Sequence, residues 1–120
     1  MRRCISLLLI FTTLISGLAQ QSNFSKQDTL RGSITPERIW WDLLHYNLDF
    51  KVFPSSKSIE GSNLIRYEVL NQNQLMQIDL QPPMEIMSVI ENNKKLNYKR
   101  DGNVYYIQLE KNQKIGAINE

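Results

Sequence analysis

Residues 31–53 read RGSITPERIWWDLLHYNLDFKVF, and the second half of that stretch decides the fold. From Trp41 onward it alternates, with Leu44, Tyr46, Leu48, Phe50 and Val52 on one parity and His45, Asn47, Asp49 and Lys51 on the other. A period of two over that length predicts a half-buried β-strand, because successive side chains leave opposite faces of the pleat. The apolar set is expected to face a core, with Leu48 at its centre. Later segments repeat the pattern more weakly, so this strand is expected to found a sheet.

Toward the C-terminus, Pro54-Ser55-Ser56-Lys57-Ser58 has loop composition. Residues 59–70 alternate again, with Ile59, Gly61, Asn63, Ile65, Tyr67 and Val69 opposite Glu60, Ser62, Arg66 and Glu68. Two alternating strands around a short polar loop predict an antiparallel pair. Asn71-Gln72-Asn73-Gln74 is a polar break, and residues 75–80 a third strand with Met76, Ile78 and Leu80 inward and Gln77 and Asp79 outward. Pro82-Pro83 ends it, since proline donates no ladder hydrogen bond. Residues 84–90 are apolar on both parities, which predicts a strand covered on both sides. Glu91-Asn92-Asn93-Lys94 is a turn and Leu96-Asn97-Tyr98 a short strand. Asp101-Gly102 predicts a tight hairpin with positive φ at both central residues, and residues 104–109 return from it. Residues 111–120 are polar. About six short strands without a strong amphipathic helix predict an all-β fold, an antiparallel β-sandwich or saddle-like sheet.

At the other end, Met1-Arg2-Arg3 precedes an apolar run from Ile5 to Ile15, and Gly17-Leu18-Ala19 supplies small residues. That order predicts a secretory signal peptide over residues 1–19, cut after Ala19. The run falls short of the ~18 apolar residues that span a bilayer, so no membrane anchor is expected once the leader is removed. Export places the chain in the periplasm, on the cell surface or in the medium. Residues 20–38 read as a flexible polar lead-in with one short turn, Thr35 capping it and Pro36 occupying its first helical position. That turn is expected to deliver Trp40 and Trp41 onto the sheet, and the β-domain to occupy residues 39–120.

Loss of the leader takes 14 basic against 12 acidic residues to 12 against 12, and removes Cys4, the one cysteine. Such a domain has no disulfides and relies on its core. A neutral balance argues against nucleic-acid and acidic-membrane partners. The doublets Lys94-Lys95 and Lys99-Arg100 read as a solvated rim. His45 is the one histidine, on the polar parity of a strand, whereas a zinc site needs three or four protein ligands. There is no Gly-x-Ser-x-Gly elbow and no glycine-rich phosphate loop. Asp42 and Asp49 stand at odd separation on one strand, hence on opposite faces, and so are expected to make no carboxylate pair. Trp40, Trp41, Tyr46, Tyr67, Tyr105 and Tyr106 suit a sandwich core better than a sugar-binding face. No residue is assigned a catalytic, cofactor-binding or metal-binding role.

Trp41-Asp-Leu-Leu-His-Tyr-Asn-Leu-Asp-Phe, then Ile59-Glu-Gly-Ser-Asn-Leu-Ile-Arg-Tyr, then Ile78-Asp-Leu resembles the opening of the aminopeptidase N family of zinc metallopeptidases. The resemblance runs from about Arg31 to Glu120. It implies a saddle-shaped, all-β N-terminal domain packed beside a thermolysin-like catalytic domain that releases N-terminal residues from peptides. In that family zinc is held by a His-Glu-x-x-His helix and a downstream Glu, and a Gly-x-Met-Glu-Asn strand orients the free amine. None of these motifs occurs here, so no site residue is carried over. The resemblance implies a partial N-terminal domain, with zinc and peptide substrate belonging to the missing catalytic domain. The alternative is a stand-alone secreted β-sandwich module that binds a ligand through its tryptophans or tyrosines.

Overall fold

A computed structural model describes residues 24–120, so the expected leader and its cleavage point lie outside the described residues. The fold is all-β and antiparallel, as the alternation predicts. Among the described residues one helix, α1 (Lys26–Gly32), precedes β1 (Trp41–Phe53), β2 (Ser58–Val69), β3 (Leu75–Asp79), β4 (Ile90–Glu91), β5 (Lys94–Lys95), β6 (Asn97–Asp101), β7 (Val104–Gln108) and β8 (Ile118–Asn119). The first sheet has the order β1-β2-β8, the second β3-β7-β6, and β4-β5 form a separate ribbon.

β1 and β2 form the expected hairpin, in register from Val52 opposite Ile59 to Trp41 opposite Val69. The register slips by one residue between Leu43 and His45, leaving Leu44 as the extra residue of a β-bulge. Below the bulge, Leu43 and Trp41 therefore take the face that Tyr46, Leu48, Phe50 and Val52 occupy above it. Gly61 lies opposite Phe50, and a Cβ there would come 2.7 Å from the Phe50 Cα and 2.1 Å from the Asp49 carbonyl oxygen. The missing side chain lets the two backbones approach.

The core forms where the base of this hairpin meets the second sheet. It holds Trp40, Tyr67, Val69, Met76, Leu96, Ile107 and Leu109. Trp40 is 1% exposed, and its ring meets Tyr67 edge-on at 6.0 Å. The turn after Thr35 aims it there: Arg38 N and Ile39 N both donate to the Thr35 carbonyl at 3.0 Å. Trp40 Nε1 then donates to the Leu75 carbonyl at 2.8 Å, so the indole N–H is buried with a partner.

Several expectations are corrected. Every residue from 42 to 64 is exposed, so the alternating stripe of β1 is not an inward face: Leu48 is 62% exposed. Beyond Ile65 no described element lies over either side of the hairpin, and an apolar parity without a covering layer stays in solvent. Residues 84–89 are not a strand; only Ile90–Glu91 pairs, with β5. Tyrosine hydroxyls hold Ile86, with Ile86 N donating to Tyr105 Oη at 3.3 Å and Tyr98 Oη donating to the Ile86 carbonyl at 2.8 Å, while Leu96 N donates to the Val89 carbonyl at 2.9 Å.

Residues 26–32 are helical, not an unstructured lead-in. A capping box starts the helix: Asp28 N donates to Ser25 Oγ at 3.2 Å, and Ser25 N donates to the Asp28 carboxylate at 3.0 Å. The Ser25 contacts lower the Asp28 pKa. The helix reaches the second sheet through Lys26, 2.6 Å from Asp101, and Gln27, which accepts from Asn103 N at 2.9 Å.

The hairpin after Asp101 is one residue out of the expected phase. Asp101 pairs with Val104, so the central residues are Gly102 and Asn103, of which Gly102 alone has positive φ (60°). The turn with both central residues at positive φ is Asn92-Asn93 (51° and 64°), which closes β4-β5. In the polar C-terminal stretch, Ile118 and Asn119 add β8 to β2.

Candidate functional site

β3 is covered on both faces. Its Met76 meets the core, while Gln77, expected outward, is 1% exposed beneath α1 and the following turn. Oriented to satisfy both ends, the Gln77 amide donates to Thr35 Oγ1 at 2.7 Å and accepts from Arg38 Nη2 at 2.9 Å and Nε at 3.0 Å. Arg38 also pairs with Asp79 and donates through Nη1 to the Ser33 carbonyl at 3.2 Å. These bonds tie the helix and turn to the second sheet. The parity of β3 gave no sign of this second layer.

Beside this network, an open depression of about 490 Å³ is lined by Glu37, Leu75, Asn97, Tyr98, Lys99, Tyr106 and Gln108. Burial, and then the negative charge of Glu37, raises the Tyr106 phenol above its ordinary pKa. The depression thus offers neutral phenol, amides, one carboxylate and one ammonium. It can stack and hydrogen-bond a ligand, but it brings together no nucleophile with a base.

The second surface is the β1-β2 arm. Tyr46, Leu48, Phe50, Val52 and Ile59 share one exposed face. The other face is mostly polar, with Lys51 opposite Glu60 and His45 opposite Arg66. His45 is exposed there. Asp42 and Asp49 share this face rather than opposing each other, because the bulge reverses the parity between them; their partners are Glu68 and Ser62. Those partners stand six positions apart on β2, a span of about 20 Å, so the carboxylates form no pair.

The aromatic residues do not gather into one platform. Trp40, Tyr67 and Tyr105 are buried, Trp41 and Tyr106 are half-buried, and Tyr46 lies on the arm. The basic doublets also divide. Lys94 pairs with Glu110, Lys99 lines the depression, and Arg100 lies 5.1 Å from the Tyr105 ring centre. Among the described residues no three of His, Cys, Asp and Glu gather as metal ligands. No described helix is long and apolar enough to cross a membrane. No family model, curated protein or solved structure matches the chain.

Proposed function

We propose that the chain is a non-catalytic N-terminal β-portion of an exported zinc metallo-aminopeptidase, and that its arm packs against a further domain of such a protein. The strand sequences that resemble the aminopeptidase N family support the reading. The observation that carries it is the arm itself: a thirteen-residue strand, apolar along one side, projects from the core with both faces exposed. A two-stranded ribbon is marginally stable alone, and exposed apolar patches of this kind mark interaction surfaces. The hydrolytic zinc and the peptide-binding groups would belong to that further domain.

Reading the gene past the codon for Glu120 tests the proposal. A continuing frame that encodes His-Glu-x-x-His supports it; a stop codon followed by an unrelated gene contradicts it and favours a stand-alone binding module. By itself the chain is expected neither to hydrolyse amino-acid anilides nor to keep stoichiometric zinc through dialysis, because its one histidine supplies too few ligands for a closed site. Chelator-sensitive turnover by the isolated chain would contradict that expectation.

A further inference from the structure

The outer edge of β1 carries a pattern that complements itself. β1 is the edge strand of the order β1-β2-β8, and among the described residues the side of residues 45–53 turned away from β2 has no backbone partner. Such an edge is a template for another strand. We propose that it pairs, antiparallel and about a two-fold axis, with the β1 edge of a second copy of this chain, centred on Phe50.

The sequence selects that register. Residues directly opposite in an antiparallel pair share a face, so a two-fold axis passing between residues sets apolar against polar side chains. An axis at Phe50 sets Phe50 on its counterpart, Leu48 on Val52, and Asp49 on Lys51 twice. Moving the axis one residue either way sets Asp49 on Asp49 or Lys51 on Lys51, and like charges directly opposite are destabilising. At residue 48, Lys51 meets His45; at residue 47, it meets Leu43. Pro54 has no N–H to donate and limits the pairing to residues 47–53.

The result is a continuous sheet, β8-β2-β1-β1-β2-β8, whose four central strands extend a ribbon of marginal stability. This pairing goes beyond the proposed function. It uses the strand edge and leaves both faces of the arm open to another domain.

The test is sedimentation equilibrium of the full chain, of Asp49→Lys, of Lys51→Asp and of an equal mixture of the two variants. The unaltered chain is expected to dimerise with concentration. Each variant alone sets like charges opposite twice and should dimerise about tenfold more weakly. The mixture restores two unlike pairs and should recover the original affinity. Effects of the substitutions within each hairpin are the same alone and mixed, so recovery reports the contact between copies. A chain that stays monomeric, a dimer that Asp49→Lys leaves unchanged, or a mixture no tighter than its components overturns the proposal.

Discussion

Tyr67 sits between Trp40 and Trp41, with ring centres 6.0 and 5.9 Å away, and its buried hydroxyl has no hydrogen-bond partner. Burial, and then the charge of Glu91, pushes its pKa up to about 12. Below pH 10 the phenol is neutral in both the folded and unfolded states. Above it the unfolded chain releases the proton first, so stability falls as the pH climbs toward 12. Tyr67→Phe removes an unsatisfied polar atom and is expected to leave stability at neutral pH unchanged or raised by up to about 1 kcal/mol. It should also delete the latest step of the phenolate absorbance titration. Gln77 is the opposite case, because its amide satisfies both Thr35 and Arg38. Gln77→Leu is expected to cost about 1–3 kcal/mol in urea denaturation, because it leaves Thr35 Oγ1 without a partner and removes two of the bonds made by Arg38, which keeps Asp79 and the Ser33 carbonyl. Tyr67 was expected in a core as one of the aromatic residues that suit a sandwich interior. Gln77 was not, because alternation records one wet face and says nothing of a helix laid over it.

Among the elements, β1, β2, β3 and β7 lie where alternation put them, to within a residue or two at the ends. What alternation could not show was which apolar face has a cover. Leu48, the centre of the stripe, is exposed on β1, whereas Ile107 on β7 is buried in the core. Leu48→Ala is therefore expected to change stability by no more than about 0.5 kcal/mol. Ile107→Ala should cost about 2–5 kcal/mol through lost burial and the cavity left behind. Urea midpoints of the two variants decide between this placement of the core and one centred on the arm. The other differences have equally local causes. One inserted residue at Leu44 reverses the faces of everything before it. Residues 84–89 are apolar enough for a strand, but two tyrosine hydroxyls hold Ile86 and a single backbone bond from Leu96 holds Val89, in place of a strand ladder. The capping box at Ser25 was readable, although Asp28 is a shorter member of the usual Glu or Gln pattern. β8 is two residues long, too short to leave a periodic signal.

At the scale of the whole molecule, the fold divides into a core between two sheets and an arm that leaves it. The site was less legible than the fold, because the surfaces left open depend on which layers cover which strands. Uncovered amides that open without breaking the core exchange quickly, whereas core strands exchange only with large-scale unfolding. Residue-by-residue amide hydrogen exchange tests this division most directly, measured on Asp49→Lys at low concentration so that association does not shield the arm. The amides of Tyr67, Val69, Gln77, Tyr105 and Ile107 are expected to exchange slowest, and those of residues 46–53 and 58–64 at least about a hundredfold faster. Equal protection along the whole of β1 and β2 would contradict the account, because it would mean that the arm belongs to the core.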